Sequence, residues 1–161
     1  MSFLGIDLGT GGVRCLLVSE SGEILADTSR SLSKINLSDV AGHSEQDANE
    51  WISILADALD ELFAAPLHRN IQAVAVDSTS GTVLPVTPSG VPLAPALLHN
   101  DGRAQEEAQS CEQYFGGSCS PTFSLPKILW MQRNLELADN TLFLHATDFL
   151  NSWLAGHTYI P

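Results

Sequence analysis

The chain has 161 residues, 44% of them hydrophobic and 16% charged, which is enough apolar material for a domain with a real core and too much for a disordered tail. Lys and Arg total 7 against 19 for Asp and Glu, a formal net charge of −12, and such a surface repels nucleic acid and anionic membranes. A phosphorylated ligand would have to be held by backbone N–H groups, a metal or a few local cations.

Phe3-Leu4-Gly5-Ile6 is a short apolar run closed by Asp7 and a glycine-rich turn. Val13 to Val18 follows as a β-leaning run, Glu20 to Glu23 as a turn, and Ile24 to Leu32 as a third extended segment. Three strands joined by two tight turns predict an antiparallel meander. Ser33 to Glu45 is polar and irregular. Asp47 with Glu50 predicts a capping box, and Trp51, Ile52, Leu55, Ala58, Leu59, Leu62 and Phe63 recur at helical spacing up to Pro66. Ile71 to Val76 predicts a strand that closes on Asp77-Ser78-Thr79-Ser80-Gly81-Thr82, and Val83 to Val86 another. Residues 91 to 98 are expected to be extended. Helices are expected over Arg103–Tyr114, Leu125–Arg133 and Asp148–Leu154. The order of three strands, helix, strand, helix predicts an α/β fold that begins a ribonuclease-H-like unit, the building block of actin-like ATPases. No fifth strand is evident in the sequence.

Cys15, Cys111 and Cys119 fit no zinc spacing, and their odd number argues against a disulfide framework. The apolar run at Phe3–Ile6 is too short for a signal peptide, and no stretch approaches a membrane span. A cytoplasmic location is therefore expected. The sequon Asn36-Leu37-Ser38 has no secretory route to serve. Glu106 and Glu107, adjacent on a helix, are expected to diverge, which excludes a glycosidase pair. The histidines have no metal-ligand spacing.

Gly9-Thr10-Gly11-Gly12 admits three phosphate-binding readings. A Walker loop needs a Lys-Ser or Lys-Thr that is absent, and a dinucleotide fingerprint needs a third glycine where Arg14 stands. The remaining device is a hairpin tip that presents Asp7 and successive backbone N–H groups. Its glycines are expected to supply positive φ and close approach. Asp7 repels phosphate directly, so its natural role is to hold Mg²⁺ through water. An ordinary glycine hairpin with a solvated Asp fits the residues equally well.

Gly5-Ile6-Asp7-Leu8-Gly9-Thr10-Gly11-Gly12-Val13-Arg14 resembles the N-terminal signature of FGGY carbohydrate kinases. Further segments are similar in the same order. Glu45-Gln46-Asp47 with Trp51 resembles E-Q-D-x-x-x-W, and Asn100-Asp101-Gly102-Arg103 resembles part of W-N-D-x-R. Leu125-Pro126-Lys127-Ile128-Leu129-Trp130 resembles L-P-K-L-L-W, and Asp148 to Gly156 resembles D-Y-L…L-T-G. The resemblance implies the first lobe of a two-domain sugar kinase, with ATP and Mg²⁺ as cofactors and a small sugar or polyol as substrate. A pentulose such as xylulose or ribulose is favoured, because Asp77 to Thr82 looks like the D-G-T-S-G-T of a pentulose-kinase branch. Asp7 would lie beside the transferred phosphate as the catalytic and metal-side carboxylate. Gly9, Thr10, Gly11 and Gly12 would bind the nucleotide phosphates. Ser80, Gly81, Thr82, Asn100, Asp101 and Arg103 would meet the sugar, with Asp101 accepting from two hydroxyls and Arg103 orienting it. Asp101 also suits the N-cap of the helix that follows it.

Gly12 replaces a Ser or Thr of the family pattern, and His99 replaces a Trp. Residues 1–161 are expected to be an incomplete N-terminal domain. The general-base Asp and the adenosine-binding second lobe that the resemblance implies are expected to lie outside these residues, so the isolated chain is expected to be inactive. The missing lobe, sugar and ATP are the expected partners, and a homodimer is one assembly open to it. The alternatives are a non-catalytic sugar-binding or regulatory fragment of the same fold, and another actin-like ATPase.

Overall fold

The computed structural model describes residues 1–64 and 70–156. In chain order the elements are β1 (Ser2–Gly9), β2 (Gly12–Ser19), β3 (Ile24–Ser31), β4 (Glu45–Gln46), α1 (Ala48–Ala64), β5 (Ile71–Ser78), β6 (Val83–Val86), β7 (Ala96–Leu97), α2 (Gln105–Phe115), α3 (Ser124–Asn134), β8 (Leu142–His145) and α4 (Ala146–Leu154). They form two compact units. One is Met1–Ile35 with Asn49–Thr79, and the other is Asn36–Ala48 with the residues from Ser80 onward.

The first unit is a four-stranded sheet ordered β3-β2-β1-β5. β1, β2 and β3 form the antiparallel meander, and β5 adds parallel to β1. A parallel neighbour needs a crossover, and α1 supplies it. Alternation along β1 and β2 buries Leu4, Ile6, Leu8, Val13, Cys15 and Leu17 on one face. The buried stripe of α1 is Trp51, Ile54, Leu55, Ala58 and Leu62, which is helical spacing with Ile54 added and Phe63 turned outward. The Thr28 hydroxyl donates to the Ala58 carbonyl at 3.0 Å, which ties α1 to β3. Glu50 Oε1 accepts from Ser33 N at 2.6 Å, so its carboxylate secures the segment after β3 to the start of the helix. Pro66, expected to end α1, lies outside the described residues. Burial pushes the Cys15 thiol up to about 11, although Thr28 partly opposes this. It therefore packs as an inert small hydrophobe.

The second unit has a sheet of its own, ordered β4-β7-β6-β8. The strand after β5 does not lead into the closing helix of the first unit, and α2 belongs with this second sheet. β8, read as no strand in the sequence, pairs antiparallel with β6 from Val83↔His145 to Val86↔Leu142. β4 pairs with β7 across some fifty residues of sequence. Two-residue and four-residue strands carry almost no local periodicity, so only long-range pairing reveals them. Val83, Leu97 and Met131 form the buried centre, against which Ile128, Trp130, Leu135, Leu137 and Phe143 pack. Arg133 on α3 reaches both Glu106 (2.6 Å) and Glu107 (3.3 Å) on α2. The two carboxylates therefore converge on one guanidinium rather than diverging.

Between β1 and β2 the turn is two residues long, with Gly9 paired to Gly12. Gly9 and Gly11 keep negative φ, and only Gly12 among the three has positive φ, at 152°. Of the turn's glycines, only Gly12 uses the positive φ that glycine permits. The demand for glycine comes from β3, because a Cβ on Gly12 would lie 2.1 Å from the Arg30 carbonyl oxygen. A Cβ on Gly11 would meet nothing within 4 Å. Gly12→Ala is expected to lose roughly 2–4 kcal/mol through clash and backbone strain, while Gly11→Ala stays within about 0.5 kcal/mol. Urea denaturation of both variants checks this, and equal losses would contradict it.

Candidate functional site

β1 carries Asp7 on its exposed face, because its neighbours Ile6 and Leu8 are committed to the core. Register places Arg14 of β2 opposite Asp7 on one side and Asp77 of β5 on the other. The two carboxylates are therefore neighbours at the same end of parallel strands. Arg14 also pairs with Asp27 at 3.5 Å, an exposed contact. Asp77 Oδ1 accepts from its neighbour Ser78 N at 2.8 Å. The Gly11 carbonyl is spent on Leu32 N at 3.0 Å, while the outer side of Gly11 is open. Thr10 is half-buried at the tip. Asp77 was not singled out as a site residue. Its placement depends on the β1–β5 register, which no local pattern carries.

Hard carboxylate oxygens at Asp7 and Asp77 suit Mg²⁺, a cation that keeps several waters and takes few protein ligands. No group of three or more His, Cys, Asp or Glu able to hold a metal occurs among the described residues. A closed all-protein metal cage is therefore not what these residues build.

In the second unit, Ser80 and Asn100 are exposed and Thr82 is 3% exposed. Gly81 has φ 78°. A Cβ there would lie 3.7 Å from His99 Cα and 3.9 Å from the Thr122 carbonyl oxygen. The structure thus brings the Ser80–Thr82 turn, His99–Asn100 and the loop before α3 to one place.

Beneath that surface lies a charged network. Asp101 is 0% exposed. Its Oδ2 accepts from Ser44 N at 2.6 Å, and its Oδ1 from Arg103 N at 3.1 Å and Nε at 2.9 Å. Arg103 Nη2 reaches Asp101 Oδ2 at 2.8 Å and Glu45 Oε2 at 2.7 Å, and the guanidinium lies 4.9 Å from the Trp130 ring centroid. Burial alone would lower the Arg103 pKa. The hydrogen bonds and charges of Asp101 and Glu45 outweigh that and hold it above its ordinary value. Lys127 is also 0% exposed. Its Nζ donates to Gly81 O at 2.9 Å and Leu98 O at 2.6 Å.

This arrangement corrects the direct sugar role expected of Asp101. Both of its oxygens are taken by protein donors and neither reaches the surface, so it shapes the Leu98–Arg103 segment from below. It does not cap the following helix either. The N-cap of α2 is Ala104, with no side-chain cap bond, and Asp101 instead closes onto Arg103 N two residues on. Glu45, Lys127 and Trp130 were not predicted as site residues. The available signal was a lysine at the head of the apolar run Ile128-Leu129-Trp130-Met131, with Trp130 three residues on. That spacing puts both side chains on one face of α3.

A meander extended by a parallel strand after a helical crossover, with an acidic strand end beside an open glycine turn, defines the class: the ribonuclease-H-like unit of the actin-like ATPase fold. Residues 2–160 match the model of the FGGY family of carbohydrate kinases, N-terminal domain. A xylulose kinase of Klebsiella pneumoniae is 33% identical over 139 residues, covering 82% of this chain and 28% of that protein. One from Bacillus subtilis is 32% identical over 169 residues, covering 95% and 33%. The crystal structure of a xyloylose kinase from Brucella ovis superposes with a TM-score of 0.85 at 27% identity, covering 95% of this chain and 33% of that one. The chain belongs to the FGGY family of carbohydrate kinases, and it spans about a third of the length of the relatives it matches. No helix among the described residues is long and apolar enough to cross a membrane.

Two measurements test the buried network. Asp101→Ala strands Arg103 and Ser44 N, and is expected to cost about 3–5 kcal/mol in urea denaturation; a loss under about 1 kcal/mol would contradict the network. Burial lowers the Lys127 pKa from 10.5 to about 8, with Asp101 partly opposing this. Between those values the unfolded chain holds the extra proton, so this group's contribution to stability improves as pH rises. Wild type should therefore gain stability relative to Lys127→Met as pH rises through about 8 toward 10.5.

Proposed function

We propose that the polypeptide carrying this chain transfers the γ-phosphoryl group of ATP to a hydroxyl of a pentulose, with D-xylulose as the favoured substrate. The observation that carries the reading is convergence. Glu45, Asp101, Arg103 and Trp130 come from three separated family motifs and meet through the Arg103 guanidinium, and Lys127, from the same motif as Trp130, bonds the Gly81 and Leu98 carbonyls beneath the Ser80–Asn100 surface. The similarity to xylulose kinases of Klebsiella pneumoniae and Bacillus subtilis supports the choice of sugar.

On this reading the exposed Ser80 hydroxyl, the Gly81 backbone and Asn100 meet the sugar's hydroxyls. Short donors and acceptors on close segments suit a ligand with an oxygen on every carbon. Thr82, Asp101 and Arg103 hold those segments in place. Gly9, Thr10, Gly11 and Gly12 form the phosphate turn. Gly11 offers the close backbone approach and Gly12 keeps β2 against β3. Asp7, with Asp77 beside it, holds the cation side of the phosphates. Bound Mg²⁺ would neutralise charge on the phosphate oxygens. Phosphoryl transfer depends on such positioning and charge balance more than on covalent help. With a net charge of −12, the chain has little other means of offsetting a triphosphate.

A coupled ADP-release assay of the full-length polypeptide with D-xylulose, D-ribulose and glycerol tests the proposal. Xylulose-dependent ADP release is expected, and Asp7→Ala should lower kcat by at least about a hundredfold. Xylulose binding without ADP release would favour a sugar-binding role, and a response to glycerol alone would overturn the pentulose reading.

A further inference from the structure

We propose that Lys127 is a positioning residue for the sugar: its ammonium group ties the Ser80–Thr82 turn to the Leu98–Asp101 segment and so sets the spacing of the two backbone strips that meet the substrate. The inference deepens the kinase reading above and rests on it.

Nζ of Lys127 bonds two carbonyl oxygens that lie 46 and 29 residues away in sequence, Gly81 O and Leu98 O. An ammonium carries three donors on one atom, so it can join two acceptors from separate segments where an aliphatic side chain joins none. The Leu98 carbonyl also accepts from Asp101 N at 3.0 Å, and Leu98 N donates to Ser44 O at 2.9 Å. Lys127 therefore closes the last gap in a chain of bonds that runs from β4 through the Leu98–Asp101 turn to Gly81. The two strips run close together, since a Cβ on Gly81 would already lie 3.7 Å from His99 Cα.

The charge count agrees with this role. Asp101 and Glu45 supply two negative charges and Arg103 and Lys127 two positive ones, with Asp101 and Lys127 both 0% exposed. Burying a lysine carries a desolvation penalty that a methionine of similar length would avoid. A residue kept at that penalty, bridging the two segments assigned to the substrate, is better accounted for by positioning than by packing. Since a misplacement of ~1 Å can cost on the order of a hundredfold in rate, a single clamp of this kind is enough to matter.

The test uses the full-length polypeptide, wild type and Lys127→Met, with ATP and D-xylulose. The expected result is a rise of at least about tenfold in the KM for xylulose, with the KM for ATP within about twofold of wild type. An unchanged xylulose KM, or equal changes in both constants, overturns the proposal. A wild-type measurement decides the matter if the variant does not fold. Reductive methylation followed by peptide mapping should label Lys34, which is exposed, and label Lys127 only when the clamp opens. Saturating xylulose should slow Lys127 labelling by at least about fivefold, leave Lys34 unchanged, and show no such effect with ATP alone. Xylulose that binds without slowing Lys127 overturns the proposal. If wild type neither binds nor phosphorylates a pentulose, the kinase reading fails. The clamp is then judged by amide exchange alone: faster exchange at Thr82 and Asp101 in Lys127→Met upholds it, and unchanged exchange overturns it.

Discussion

The second unit depends on a carboxylate with no access to water. Asp101, at 0% exposure, would be unstable as a lone buried anion, because burial of an unpaired charge is far more costly than any packing it could gain. Arg103 answers it through three guanidinium contacts and its backbone N–H, and Ser44 N adds a fifth bond. Once Arg103 is committed to Asp101, its other edge must also be satisfied. Glu45 and the face of Trp130 do this. The network therefore selects which segments assemble. It draws β4, the turn before α2 and the start of α3 to one point, and none of these elements is long enough to specify its partner by strand pairing or helix packing alone.

The same logic explains why α3 reads as it does. A helix with Lys127 and Trp130 on one face would ordinarily turn the lysine to solvent and the tryptophan to the core. Here both face inward, because the interior at that position is polar on one side and apolar on the other. Met131 and Ile128 meet the aliphatic centre, while Lys127 meets two backbone carbonyls that would otherwise be buried without this donor. Charges and carbonyls are paired in one place, an arrangement in which a buried polar cluster rigidifies a fold rather than weakening it.

In the first unit the governing constraint is register. Parallel pairing of β1 with β5 places Asp77 beside Asp7, and antiparallel pairing with β2 places Arg14 on the other side. A one-residue slip of β1 or β2 would turn its own charge toward the core face, so the apolar alternation along those two strands also delivers Asp7 and Arg14 to the outer face. The glycine turn between β1 and β2 is then a by-product of close strand pairing at Gly12, where β3 leaves no room for a side chain. A serine or threonine at that position would have to displace β3, which accounts in physical terms for the departure from the family pattern.

Much was legible in the sequence where signals are local. The meander, α1 and the Asp7–Gly12 turn follow from periodicity and turn residues within windows of ten or so positions. The ordered motifs identified the family. Tertiary structure alone decided what depends on contacts across 40 to 60 residues: the second sheet with β4, β7 and β8, the pairing of Asp77 with Asp7, and the direction in which charged side chains point. Asp101 is the clearest instance. Its residue type and motif suggested a ligand-facing acceptor, yet burial turned it into the anchor of its own segment. Lys127 is the converse case, a residue whose sequence context gave only a family motif and whose two backbone bonds, visible only in the fold, assign it a task. Residue type and spacing determine which chemistry a chain can offer. Exposure, set by the packing of distant segments, determines which of those groups is offered to a ligand and which is spent on holding the others.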